Sequence, residues 1–217
     1  MDWRVHCYPS SFIGHGHCRQ ATPIIVTEPK LHLASTSPRR REILQSLGVD
    51  FDVVMVDTDE EPIQGEAPEE LVLRLAIAKA EAATDAEYVL GSDTVVVLDD
   101  RILGKPIDAD DAVDMLLALS GRSHSVLTGV ALVTPGGTRS VISATEVRFR
   151  EIGRDEAIRY WQSGEPADKA GAYGIQGIGG MFVEAINGSY SGVMGLPVFE
   201  TVELLRSAGI EVLAKHT

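Results

Sequence analysis

The chain has 217 residues, 44% hydrophobic and 24% charged, which is enough for one domain with a real core or for two small ones. Its 32 Asp and Glu against 19 Lys and Arg give a formal net charge of −13 and argue against sequence-independent binding to nucleic acid, which needs a basic face. No apolar run approaches the roughly 18 residues of a membrane-spanning helix, and two cysteines make no disulfide framework and fit a reducing compartment.

Residues 1–30 stand apart: Cys7, Cys18, His6, His15 and His17 all lie there, without periodicity and without the apolar stretch of a secretory signal. The expectation is an N-terminal extension, either disordered or an organellar targeting segment. Its His-Gly-His-Cys cluster has no zinc-finger spacing. From residue 31 strand and helix patterns alternate. Leu31–Ala34 reads as a short strand and residues 38–47 as a helix opened by Ser37-Pro38. Residues 51–56 read as a strand, 67–83 as a helix, and 88–98 as a central buried strand; if Asp93 instead sat at a strand end bonding a nearby backbone amide, Gly91 and Ser92 would mark that bend or a bulge. Residues 108–121 form an amphipathic helix closed by Gly121, and two strands flank Pro135-Gly136-Gly137 as a hairpin. Residues 153–163 and 196–208 read as two further helices, and nothing divides residues 31–214, so an α/β single domain is expected there.

Three consecutive arginines, Arg39, Arg40 and Arg41, occupy the first turn of the first helix, where the helix dipole disfavours cations. An anion at that helix start would explain them. Asp93 lies inside an apolar strand, where a carboxylate is costly unless it is paired or binds a cation. The acidic run Asp57, Asp59, Glu60, Glu61 reads alone as a solvated loop, but with Asp93 it offers two carboxylates to a Mg²⁺-type cation that also takes substrate phosphates. Lys79 falls on the apolar stripe of its helix and reads alone as a snorkelling lysine; Lys105, in Leu-Gly-Lys-Pro, reads as a turn residue. The P-loop pattern is absent, and Gly188-Ser189-Tyr190-Ser191-Gly192 is no nucleophile elbow, since Tyr190 holds the serine's place. His32 and His124 are too few for a histidine triad or a zinc site. The glycine-rich stretch 165–180 lets backbone approach a ligand closely. Arginines at a helix start, lysines, and carboxylates able to hold a metal and activate water together point to metal-assisted hydrolysis of a polyphosphate.

The segments LASTSPRR, GSDTVVVLDDRILGKP, LSGRSHSVLTGVAL and DKAGAYGIQGIGGMFVEAINGSYSGVMGLP, in this order between about residues 31 and 206, resemble the Maf (septum formation protein) family of nucleoside triphosphate pyrophosphatases. The resemblance implies a bent mixed β-sheet flanked by helices, with two lobes around a nucleotide cleft. It implies cleavage between the α- and β-phosphates with a divalent cation, Mg²⁺ or Mn²⁺, in a cytoplasmic homodimer that engages neither nucleic acid nor membrane. By motif position, Asp93 matches the proton acceptor and a metal ligand with Glu60. Ser35, Arg39 and Arg40 match the phosphate-binding loop, and Lys79 and Lys105 match further substrate-binding positions. Arg39, Thr94 and Gln176 match the specificity positions of the branch that acts on dTTP and UTP; an amide such as Gln176 offers both donor and acceptor to a pyrimidine edge. The alternative is a nucleotide-binding regulator of cell division with little turnover.

Overall fold

The computed structural model describes residues 30–213; the extension and its histidine–cysteine cluster lie outside the described residues except for Lys30. Strand β1 (Leu31–Ala34) leads into helix α1 (Pro38–Ser46), β2 (Phe51–Val53) and α2 (Pro68–Glu81). Then come β3 (Tyr88–Leu98), β4 (Arg101–Leu103), α3 (Ala109–Leu119) and the long hairpin β5 (Ser123–Thr134) and β6 (Gly137–Phe149). Helix α4 (Arg154–Gln162), three 3₁₀ turns, β7 (Val183–Asn187), the short α5 (Tyr190–Val193) and α6 (Val198–Ser207) complete the order. The sheet runs β2-β1-β3-β5-β6-β7, with β4 also on β3. Strand β1 is parallel to both its neighbours and every other pairing is antiparallel. It is the expected mixed sheet flanked by helices.

Three sequence expectations change. Strand β2 stops at Val53 rather than residue 56 because its only partner, β1, ends at Ala34 and turns into α1. Ser37 begins α1 ahead of Pro38, but its side chain makes no capping bond. Gly91 is neither a bend nor a bulge: β3 keeps unbroken register with β1 and β5 through Gly91, Ser92 and Asp93. Gly91 serves close packing instead. A β-carbon there would collide with the Ala76 carbonyl oxygen, and one at Gly129 on β5 with that of Val72, so α2 lies directly on the sheet backbone.

On the face away from α2, two apolar cores lie toward opposite ends of β3 and β5. Leu33, Leu44, Leu90, Leu132 and Leu205 form one with α1 and α6; Val96, Leu116, Val126 and Phe149 form the other with α3 and α4. Between them β3 and β5 carry the buried polar groups Ser92 and Thr128. The edge of β3 is open at the same level, because β1 pairs only as far as Gly91 and β4 begins only at Val96. Residues 92–95 therefore face a gap in the sheet, and side chains from both faces of β3 can reach it.

Candidate active site

Asp93 points to the α2 side of β3, where Lys79 stands in the last helical turn, a position the helix dipole favours for a cation. Lys79 Nζ lies 2.6 Å from Asp93 Oδ1 and 2.5 Å from Glu60 Oε1. The lysine does not snorkel: its side chain is 11% exposed, and that of Asp93 is 12% exposed. Each buried charge is thereby paired, which removes much of the cost of placing an acid in an apolar strand. Burial alone would raise the pKa of Glu60, but the Lys79 hydrogen bond and the charges of Lys79, Lys105 and Arg40 hold it below the usual carboxylate range. Of the rest of that acidic run, Asp59 accepts a hydrogen bond from the Glu61 amide, so only Glu60 joins the site.

The arginines part company. Arg41 is exposed and lies outside the cleft, whereas Arg39 and Arg40 line it. Arg40 donates from Nε to the Gly195 carbonyl at 2.8 Å, from Nη1 to Ser35 Oγ at 3.2 Å and from Nη2 to Thr94 Oγ1 at 3.3 Å. All three acceptors are neutral. Burial lowers the Arg40 pKa from its usual value, an effect opposed by Asp93, increased by Arg39 and opposed again by Glu60. The guanidinium has five N–H donors, so two remain after these bonds. With Pro38 at the first position, no acid in the first turn and no side-chain cap, the amides of Arg39 and Arg40 are left as orphan donors at the helix start.

Thr94 joins a directional relay. Thr128 Oγ1 donates to the Gly192 carbonyl at 2.8 Å, so the 2.9 Å contact between the two threonines is a donation from Thr94, whose oxygen accepts from Arg40. Ser92 Oγ lies 2.9 Å from the carbonyls of both Gly129 and Gly195. The turn 192–195 is thus tied to β3, β5 and Arg40 together.

Arg40, Glu60, Lys79, Asp93, Thr94 and Gly195 line a cleft of about 650 Å³ at the open edge of β3, within the range of small-molecule sites. Lys105, just after β4, and Gln176, in the glycine-rich loop, lie on its walls with exposed side chains. Every candidate residue, Ser35, Arg39, Arg40, Glu60, Lys79, Asp93, Thr94, Lys105 and Gln176, borders this one cleft. So do two residues that sequence reasoning passed over, Asp168 and Lys169. Lys169 Nζ donates to the Glu165 carbonyl and to Asp168 Oδ1, each at 2.6 Å, and Asp168 Oδ2 lies 3.8 Å from Arg39. They follow Pro166 in a segment whose only visible signal is its glycines.

Among the described residues no group of three or more His, Cys, Asp or Glu could hold a metal by itself. The available donors are the Asp93 and Glu60 carboxylates, each with one oxygen outside its Lys79 bond. Two carboxylates suit a Mg²⁺-type cation whose other ligands are water and substrate phosphates, so the residues fit a metal that arrives with a polyphosphate. Among the described residues no helix is long and apolar enough to cross a membrane.

A dTTP/UTP pyrophosphatase of Saccharophagus degradans is 52% identical over 189 residues, covering 84% of this chain and 90% of the relative. Its namesake in Hahella chejuensis is also 52% identical over 189 residues, covering 84% of this chain and 94% of that one. A third, from Vibrio parahaemolyticus, is 51% identical over 180 residues, covering 81% and 95%. Among solved structures, the Ham1 protein of Staphylococcus aureus is 19% identical with a TM-score of 0.41, covering 55% of this chain and 71% of its own, too distant to bear on the site. The family model described as Maf-like protein matches residues 30–208, so the chain belongs to the Maf-like protein family.

Proposed function

We propose that the protein hydrolyses dTTP and UTP to the nucleoside monophosphate and pyrophosphate. One observation carries this reading. A carboxylate, Asp93, borders a cleft whose other walls present Arg39, Arg40, Lys105 and Lys169 beside the uncapped start of α1. That is a polyphosphate's charge pattern with a proton acceptor set into it. The shared name of the relatives directs the choice of base.

In this reading the phosphate chain lies against the first turn of α1, held by the free amides and by the spare N–H groups of Arg40. Arg39, Lys105 and Lys169 neutralise the rest of its charge. Asp93 accepts the proton of a water that adds across the bond between the α- and β-phosphates, and pyrophosphate leaves. Lys79 fixes the Asp93 carboxylate through Oδ1 and leaves Oδ2, whose two lone pairs can serve the water and a cation together. Glu60 and Asp93 would hold the divalent cation, Mg²⁺ or Mn²⁺, whose chemistry is to neutralise and orient the phosphates. Gln176 reads the base. Thr94 acts through Arg40, because its own proton is committed to Thr128. The resemblance to the family adds a cytoplasmic homodimer, with residues 31–214 as the catalytic unit.

Phosphorus NMR of dTTP incubated with the protein and Mg²⁺ tests the reaction. Pyrophosphate and dTMP should appear in equal amounts. Orthophosphate with dTDP would overturn the proposal, and tight binding without products would support the regulator instead.

A further inference from the structure

The glycine-rich loop that carries Gln176 does not wrap empty space. Its centre is the Glu165 carboxylate, contributed by the 3₁₀ turn after α4. Glu165 Oε1 accepts from the Tyr160 hydroxyl at 2.7 Å and from the Gly179 amide at 2.9 Å, and Oε2 accepts from the Ile178 amide at 2.8 Å. Tyr160 in turn accepts from the Gly174 amide at 3.1 Å. Between these clamped ends, the Gly177 amide bonds the Gly174 carbonyl at 3.1 Å and closes a turn with Ile175 and Gln176 at its tip.

The glycines fit this anchor. A β-carbon at Gly177 would run into the Glu165 carboxylate, and one at Gly179 would come within 2.5 Å of the Tyr160 hydroxyl. Tyr160 is itself fixed, since its ring is buried in the core against Phe182. Burial works to raise the Glu165 pKa, but the Gly179, Tyr160 and Ile178 hydrogen bonds and the charge of Lys169 hold it below the usual carboxylate range. An ionised carboxylate accepts from several N–H and O–H groups at once, as a neutral side chain of the same shape does not.

We infer that Glu165, braced by Tyr160, is a positioning residue for base selection: it holds the Gly174–Gly177 turn so that Gln176 presents its amide to the base. The inference rests on the proposed dTTP and UTP hydrolysis and adds to it the device that orients the specificity residue. Glu165 is not among the residues that line the cleft, so it reaches the base only through the turn it holds. Its loss therefore acts on KM and on the preference among bases, not on the chemical step.

The test compares kcat and KM for dTTP, UTP, CTP and GTP in the unaltered protein and in Glu165→Gln, Tyr160→Phe, Gln176→Ala and the Glu165→Gln/Gln176→Ala pair. Glu165→Gln puts an amide NH₂ against a backbone N–H and should raise KM for dTTP about tenfold, the worth of one oriented hydrogen bond, with kcat little changed. The preference for dTTP over CTP should fall by a similar factor, and Tyr160→Phe should move both quantities the same way by less. On the Gln176→Ala background, Glu165→Gln should change neither, because the two residues act as a unit. Unchanged base preference in a folded Glu165→Gln protein, or a full additive effect in the pair, would overturn the positioning role while leaving the activity standing. Absence of turnover in the unaltered protein would overturn the activity, and the role in base selection with it.

Discussion

Lys79 Nζ stands between two carboxylates, 2.6 Å from Asp93 Oδ1 and 2.5 Å from Glu60 Oε1, and so links α2, β3 and the loop after β2 at a single atom. The two acids are not equivalent. Glu60 is half exposed and Asp93 is buried, so Asp93 is the one held rigidly at the cleft. Replacing Asp93 with Asn keeps the shape and removes the proton acceptor. We expect kcat for dTTP to fall by about a hundredfold to ten-thousandfold, as for loss of a general base, with dTTP binding retained in calorimetry. Near-normal kcat would remove Asp93 from that role.

Arg40 is bound by neutral groups only, and its three hydrogen bonds fix the cleft wall as well as offering charge. Arg40→Lys preserves the charge but cannot reproduce a planar fork that reaches Gly195, Ser35 and Thr94 together. Steady-state kinetics should show KM for dTTP raised by about tenfold or more, since charge-assisted phosphate contacts are each worth about 1.5–3 kcal/mol. An unchanged KM would take Arg40 out of the phosphate site.

His124 lies buried beneath the cleft, with Nε2 2.9 Å from the Tyr173 hydroxyl and Nδ1 without a partner among the described residues. Burial pushes its pKa down from 6.5 to about 4. Between those values the unfolded chain binds more protons than the folded one, so stability is complete above pH 6.5 and is lost as pH falls toward 4. Urea unfolding should show about 1.5 kcal/mol lost between pH 6.5 and 5, above the range where most carboxylates titrate. His124→Phe should flatten that slope whatever it does to stability at pH 7. A slope unchanged by the substitution would place the acid sensitivity elsewhere.

The contact of α2 with the sheet sets where Lys79 meets Asp93. Gly91→Ala would drive a methyl into the Ala76 carbonyl, so helix and strand must separate. We expect a loss of about 3 kcal/mol or more in chemical denaturation, at the upper end for overpacking, with reduced turnover in whatever remains folded. Gly104, at the cleft mouth, has open space around its Cα, and Gly104→Ala should cost far less.

Much of the fold was legible because local pattern and tertiary role agree. The apolar run 88–98 is the central strand, and Pro68 with Glu69 and Glu70 opens α2 where the spacing predicts. Asp93 and the arginines were visible as conflicts, a charge in a strand and cations at a helix start, and the structure brings Asp93, Arg39 and Arg40 to one cleft while Arg41 stays outside it. What stayed hidden depends on distant partners. Strand β2 ends where β1 leaves it, and the three-residue β4 shows no period of its own. Lys79 looks like any lysine on an apolar stripe until β3 supplies Asp93 14 residues away. Glu165 carries no signal in the sequence, because the amides it gathers come from 13 and 14 residues further on.

The proposed hydrolysis is tested most directly by pyrophosphate release from dTTP, UTP, CTP, dATP, GTP and 7-methyl-GTP, each with Mg²⁺ or Mn²⁺ and with chelator. Metal-dependent turnover led by dTTP and UTP is expected. Turnover led by a purine would contradict the assignment of Gln176 and its loop, and release that persists in chelator would contradict the role given to Glu60 and Asp93.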